Sequence, residues 1–160
     1  MKTLRFLPLL TLTATALLSA CADQEQDAIR PRTAAQLLEG QAWKMTDCTV
    51  SPAWLTADNR LVTDYFREVM PAHDQDDVQY FGRGGQFRHD EGLTRAAGAP
   101  LAYAGTWALS PDGKLLRTTA EGMGSSSFDV QQLSPTTLRT SGTREQGGTR
   151  YTFTFTYTRQ

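Results

Sequence analysis

The stretch Tyr151-Thr152-Phe153-Thr154-Phe155-Thr156-Tyr157-Thr158 has the clearest periodicity in the chain. Aromatic residues alternate with threonines throughout, so one face of an extended segment is aromatic and the other carries hydroxyl groups. A period of two residues predicts a β-strand with one buried face. We therefore expect this segment to form one strand of a β-sheet whose aromatic side faces a core.

Shorter segments of similar character precede it and are separated by turn sequences. Two of the turns, Gly82-Arg83-Gly84-Gly85 and Ser110-Pro111-Asp112-Gly113, contain the residues that tight reversals require. The eight predicted strands are residues 42–50, 77–81, 86–91, 102–109, 114–119, 126–133, 137–140 and 151–158. Consecutive short antiparallel strands in this number are typical of a barrel or a sandwich. We expect an all-β, eight-stranded antiparallel up-and-down barrel, which leaves room for packed side chains or one small ligand.

Two helical segments accompany these strands. Residues 33–40 can form one or two helical turns, with Thr33 as the N-cap and Gly40 as the stop. The long first connection, residues 51–76, contains a second segment at 61–70 that Asp58 or Asn59 could cap and Pro71 ends. Its apolar residues fall on one helical face: Leu61, Val62, Tyr65, Phe66 and Val69. We expect this short helix to cover one end of the barrel, with Leu61, Tyr65 and Phe66 as lid residues.

The beginning of the chain has the layout of a secretory signal. Lys2 and Arg5 precede an apolar stretch that is too short to span a bilayer as a helix. Leu18-Ser19-Ala20-Cys21 resembles the lipobox of bacterial lipoproteins, in which the cysteine is acylated and becomes the first mature residue. The resemblance implies a signal peptide over residues 1–20 and lipidation of Cys21. The polar residues behind it have no apolar periodicity and predict a flexible tether over 21–32, and the strand pattern places the barrel domain at 33–160. The alternative is a plain secretory signal in which Cys21 is coincidental.

A lipid anchor would place the protein in the cell envelope. Ala22 directly after Cys21 resembles the outer-membrane default of bacterial lipoprotein sorting, and the acidic tract behind it resembles surface-export signals of some groups. We therefore expect a lipid-anchored protein of the outer membrane, on its periplasmic or surface face. Without Lys2 and Arg5, 14 basic residues stand against 17 acidic ones, a net charge of about −3. This charge argues against nucleic acid as a partner.

Several segments together resemble the lipocalin-like families of bacterial lipoproteins, which belong to the wider lipocalin and calycin group. They are residues 38–43, 76–81 with 84–87, 105–116, 129–138 and 151–158. The resemblance implies a barrel with a long first connection over its open end. It favours the binding of a small hydrophobic ligand. The alternative is a filled barrel that acts as a protein-interaction module of the envelope, such as an inhibitor or an assembly partner.

Aromatic side chains on the expected inward face are the candidate ligand contacts. They are Trp43, Tyr80 (or its neighbour Phe81), Trp107, Phe128, Phe153 and Phe155. A cavity between them could hold a small apolar molecule. The alternative is that the same side chains fill the core and leave no cavity.

Few residues could support catalysis or bind a metal ion. Residues 73–77 place His73 beside three carboxylates, which could hold a divalent cation but are more simply explained as a solvated acidic turn. His89 and Asp90 are adjacent on a predicted strand and therefore face opposite sides. Metalloprotease, nucleophile-elbow and phosphate-loop motifs are absent from the sequence. We expect no enzymatic activity, no metal and no cofactor.

Cys48 is the cysteine that remains once Cys21 carries lipid, so the mature chain cannot form an internal disulfide. A single free cysteine in an exported protein is either buried or pairs with another chain. We expect burial, since unpaired cysteine is among the most buried residue types.

Overall fold

Nine β-strands and two short α-helices make up residues 32–160, the part of the chain that the computed structural model describes. The helices are α1 (Ala34–Leu38) and α2 (Tyr65–Glu68), and short 3-10 turns lie at Ala72–Asp74 and Arg83–Gly85. The strands are β1 (Gln41–Leu55), β2 (Leu61–Asp64), β3 (Val78–Phe81), β4 (Gln86–Asp90), β5 (Ala102–Leu109), β6 (Leu115–Ala120), β7 (Gly124–Leu133), β8 (Thr137–Gln146) and β9 (Thr149–Arg159). No helix in this part of the chain is long and apolar enough to cross a membrane. The predicted signal peptide, the lipidation site Cys21 and the tether up to residue 31 lie outside the described residues.

Eight of the strands close into an antiparallel up-and-down barrel. Strands that follow one another in sequence pair from β3 to β9, and β1 closes the ring by pairing with both β3 and β9. β2 pairs with the second half of β1 and forms a hairpin that extends beyond the ring. The predicted eight-stranded barrel is therefore confirmed.

A bulge in β1 determines which of its side chains face the interior. Met45 pairs with Tyr157 and Asp47 pairs with Thr156, so Thr46 is an extra residue on β1. The extra residue turns Cys48 inward, where it is fully buried, and the predicted burial of Cys48 is confirmed. This burial, with the nearby Asp47 carboxylate, raises the pKa of the Cys48 thiol to about 12. The thiol is therefore protonated at neutral pH and is a poor nucleophile.

Helix α1 covers one end of the barrel, which we call the closed end. Thr33 caps the helix: its hydroxyl accepts from the Gln36 N–H, and the Gln36 side chain accepts from the Thr33 N–H. Gly40, at a φ of 70°, ends the helical segment, as the sequence predicted. Leu38 is fully buried against the core at this end.

The first interstrand connection contains a strand where a longer helix was predicted. Leu61 and Val62 pair with Leu55 and Trp54 of β1, so the alternation of β2 buries Val62 and leaves Leu61 71% exposed. The helix begins only at Tyr65, where the Asp64 carboxylate accepts from the Arg67 N–H. The prediction of one helix over 61–70, capped at residue 58 or 59, was wrong because β1 runs on to Leu55 and offers β2 an edge to pair with.

Candidate functional site

Side chains fill the closed end of the barrel. Its buried core contains Trp43, Phe81, Phe87, Trp107, Leu116 and Leu138. The rings of Phe81 and Trp107 meet edge to face at 5.7 Å, and Trp107 Nε1 donates to the carbonyl of Gly82 at 2.8 Å. The structure therefore places Trp43 and Trp107, two of the predicted ligand contacts, among the core residues of this end and not on the walls of the two cavities described below.

Tyr80 lies on the outer face of the barrel. Its neighbour Phe81 is fully buried, and adjacent residues of a strand face opposite sides. The guanidinium of the exposed Arg88 lies over the Tyr80 ring, 5.7 Å from its centroid. The prediction that Tyr80 faces the interior was therefore wrong, and the alternative residue Phe81 occupies that position.

Towards the other end, the barrel has a cavity of about 440 Å³ that is open to solvent, which we call the aromatic cavity. Its walls come from α2, β7, β8 and β9: Tyr65, Ser125, Ser126, Ser127, Phe128, Gly142, Thr143, Arg144, Phe153 and Phe155. The rings of Phe128 and Phe155 meet edge to face at 5.7 Å, and both are only half-buried. The structure thus brings Phe128, Phe153 and Phe155 together around one cavity.

The predicted lid residues have three different environments. Tyr65 lines the aromatic cavity, and its ring packs edge-on against Trp54 at 5.8 Å and Phe153 at 5.0 Å. Phe66 packs against the cluster of buried residues around Cys48. Leu61 is exposed on β2. Only Tyr65 of these three therefore lies where it could contact a molecule in this cavity.

A second cavity, of about 240 Å³, lies between β1, β3, β4 and β9, and we call it the acidic cavity. Its lining is Met45, Met70, Asp74, Asp77, Gln79, His89, Glu91, Met123 and Tyr157. Three carboxylates and one imidazole thus face this space, and no lysine or arginine of residues 32–160 lines it. The negative charge of these carboxylates is not balanced by a permanent cation on the wall of the cavity.

One imidazole nitrogen in the acidic cavity faces two carboxylates. His89 Nε2 lies 3.1 Å from Asp77 Oδ2 and 3.9 Å from Glu91 Oε1. The side chains of His89, Asp77 and Glu91 are 12%, 11% and 9% exposed. Burial raises the pKa of Asp77, although the Gly92 N–H and His89 both act in the opposite direction. We call these three residues the Asp77 cluster.

The hydrogen bonds of Asp76 hold the segment that carries Glu91. The Asp76 carboxylate accepts from the N–H groups of Leu93 and Thr94, at 2.7 and 3.0 Å, and from the Thr94 hydroxyl at 2.8 Å. The hydrogen bonds from Thr94 and Leu93 lower the pKa of Asp76. A Cβ on Gly92 would collide with the Asp76 carboxyl group, so a glycine at residue 92 permits this close approach. The chain after β4 is therefore fixed next to the Asp77 cluster.

This cluster was not predicted from the sequence, where residues 73–77 and the adjacent His89 and Asp90 were interpreted separately. His89 and Glu91 are two residues apart and so share a face, while Asp90 points outward to Arg88. The β3–β4 hairpin pairs Gln79 with His89 and Val78 with Asp90, which brings Asp77 next to Glu91. A hairpin centred on the glycine-rich turn, together with the two-residue spacing, was the signal that could have revealed it.

Comparisons with known proteins found similar folds among solved structures. One is the crystal structure of a lipocalin-like protein from Bacteroides uniformis, 17% identical, with a TM-score of 0.41 over 74% of this chain and 96% of that chain. Another is apocrustacyanin C2, 14% identical, with a TM-score of 0.45 over 74% of this chain and 59% of that chain. No protein-family model matches the sequence, and no curated protein matches it. The function of the chain is therefore argued from its own cavities and side chains.

Proposed function

We propose that this protein binds a small, largely apolar molecule in the aromatic cavity. The main support for the proposal is that one end of the barrel is filled with side chains and the other end has a cavity. Side chains fill the closed end, whereas about 440 Å³ remains beside the half-buried rings of Phe128 and Phe155. Small-molecule sites combine aromatic walls with placed polar groups, both of which are present here, and this volume lies in their usual range.

The polar groups of the aromatic cavity favour a ligand with an anionic end. Arg144 contributes a guanidinium to the lining, and its carbon lies 5.9 Å from the centroid of the Trp54 ring. The Ser126 hydroxyl, on the inward face of β7, adds a further donor, and no carboxylate of residues 32–160 lines this cavity. A straight-chain carboxylate has both the apolar body and the anionic end that these walls can accommodate.

The first test fills the aromatic cavity. Ser126 lies on the inward face of β7 and lines the cavity, so Ser126→Phe should occupy the space with a ring and weaken the binding of dodecanoate at least about tenfold, or about 1.4 kcal/mol. Native mass spectrometry and the fluorescence of Trp54, which packs against Tyr65, both report binding. The starting protein is the chain from Ala22 onward, so that neither a signal peptide nor a lipid competes.

Thr152→Phe provides the matched control. Thr152 is an exposed hydroxyl residue on the outward face of β9, so this variant should bind dodecanoate as the unaltered protein does. Equal binding by all three proteins would contradict the aromatic cavity as the site. An unaltered protein that binds no apolar carboxylate would contradict the function itself. The exposed Leu93, Leu101 and Met123 would then favour the alternative, a protein partner in the envelope.

We also propose that lipid on Cys21 holds the protein at the outer membrane. The support is the sequence Leu18-Ser19-Ala20-Cys21 behind a basic start and a short apolar stretch. Cys21→Ser should abolish the incorporation of labelled palmitate and move the protein from the outer-membrane fraction to the soluble fraction. Cys48→Ala is the control and should keep both label and location, because Cys48 is buried in the barrel. A palmitate label that survives Cys21→Ser would contradict this anchor.

A further inference from the structure

We infer that the Asp77 cluster is a binding site for a divalent transition-metal ion of the zinc class, with Asp77 Oδ2, His89 Nε2 and Glu91 Oε1 as its ligands. The site lies in the acidic cavity and does not depend on the ligand proposed for the aromatic cavity. Three observations support it: the distances between the ligand atoms, the absence of a hydrogen bond from the described residues to the Glu91 carboxylate, and the chemistry of the three groups.

The distances between the ligand atoms match a single small ion. All three atoms lie within 4.8 Å of one another. Zinc binds nitrogen and oxygen ligands at about 2.0–2.2 Å, which in a tetrahedron places neighbouring ligands about 3.3–3.6 Å apart. The distances of 3.1 and 3.9 Å from His89 Nε2 lie on either side of that range. The third distance, between the Asp77 and Glu91 oxygens, is at most 4.8 Å, so side-chain movements of about 1 Å would complete the geometry.

Within residues 32–160, the largely buried Glu91 carboxylate has no hydrogen bond. Its side chain is 9% exposed, and within residues 32–160 its nearest cationic partner is His89, at 3.9 Å. His89 Nε2 has one proton or one lone pair, and Asp77, at 3.1 Å, already takes that interaction. An ionised carboxylate in such a position is costly unless it is paired or coordinates a metal. A cation between the three groups would satisfy Glu91 as well as Asp77.

One imidazole nitrogen and two carboxylate oxygens favour a particular class of metal ion. Imidazole nitrogen suits zinc and its transition-metal neighbours, whereas calcium takes six to eight oxygen ligands, more than these three groups supply. Three protein ligands leave one position of a tetrahedral ion open. All three ligand residues line the acidic cavity, which has room for a further small ligand. An ion held here would therefore also carry a water molecule or a small anion.

The test is calorimetric titration of the full-length protein, freed of metals with a chelator, with zinc chloride. We expect one ion per chain. Glu91→Gln and His89→Gln should each weaken binding at least about tenfold. Asp90→Asn is the matched control on the same strand, since Asp90 pairs with Arg88 on the outer face, and His73→Gln controls for the other histidine. Both controls should bind zinc as the unaltered protein does.

Two further measurements separate loss of a ligand from loss of the fold. Near-ultraviolet circular dichroism should be the same for Glu91→Gln and the unaltered protein. The visible spectrum of bound cobalt(II) should change in His89→Gln, because a nitrogen ligand is lost. Absence of zinc binding in the unaltered protein would overturn the inference. So would undiminished binding by a correctly folded Glu91→Gln variant, a cobalt spectrum that does not respond to His89→Gln, or a preference for calcium over zinc.

Discussion

Replacing Trp107 with alanine is expected to lower the free energy of unfolding by about 3–5 kcal/mol, the usual cost of removing a large buried aromatic side chain. Trp107 is 8% exposed and packs against Phe81 at the filled end of the barrel. Its loss would leave a cavity there and would also deprive the Gly82 carbonyl of its hydrogen bond. Urea unfolding followed by far-ultraviolet circular dichroism measures the change. Because the expected effect is on stability, Trp107→Ala is not a clean test of ligand binding.

Two variants separate the contributions to this effect. Trp107→Phe keeps an aromatic ring in the core but removes the donor to Gly82, and we expect a loss of about 1–3 kcal/mol. Tyr80→Ala removes an aromatic ring from the outer face at the same end, where its partner is the exposed Arg88, and should cost about 1 kcal/mol or less. If Trp107→Ala were no more destabilising than Tyr80→Ala, the filled closed end would be contradicted.

The sequence predicts which side chains face the barrel interior where two residue types alternate over many consecutive positions. In β9 the aromatic residues and threonines separate cleanly, and Phe153 and Phe155 were placed correctly on the inner face. In β3 two aromatic residues are adjacent, so alternation alone could not decide between Tyr80 and Phe81. Phe81 is the residue that faces the interior, because it pairs with the buried Phe87 across the β3–β4 hairpin.

Predictions of local structure failed where pairing with a neighbouring strand outweighs local composition. Residues 143–146 are polar and lie outside the predicted strand 137–140, but they belong to β8 because they pair with residues 149–152 of β9. The turn is confined to Gly147 and Gly148. The same reason explains β2, whose apolar residues fit a helical face and nevertheless pair with β1.

The candidate site was predictable only in part for a related reason. The aromatic residues of β7 and β9 could be identified because each carries its own signal in the sequence. The Asp77 cluster has no such local signal, because its members become neighbours only through the register of the β3–β4 hairpin. The bulge at Thr46, which turns Cys48 inward, is likewise a property of the pairing between β1 and β9.

Replacing Gly105 with alanine is expected to destabilise the barrel by more than about 3 kcal/mol, at the upper end of what overpacking costs. Gly105 lies in the middle of β5 and pairs with Phe87 of β4 and Ala120 of β6. A Cβ at residue 105 would collide with the backbone carbonyl of Thr119, which no change of rotamer can move. The strand β6 would have to shift away from β5, and the hydrogen bonds between them would be strained. Thermal and urea unfolding both measure the loss.

Gly142→Ala is the matched control, since Gly142 is also a strand glycine without a positive φ and faces the barrel interior. Its added Cβ would meet the edge of the Phe128 ring at 3.2 Å, and a ring beside the aromatic cavity can move by a few tenths of an ångström. The reduced entropy of the unfolded chain favours the alanine by about 0.4–1 kcal/mol, so the net change should be within about 1 kcal/mol. Equal destabilisation by the two variants would show that strand glycines in this barrel are needed for flexibility in general. A large effect confined to Gly105→Ala would instead establish that β5 and β6 approach too closely at this point for any side chain.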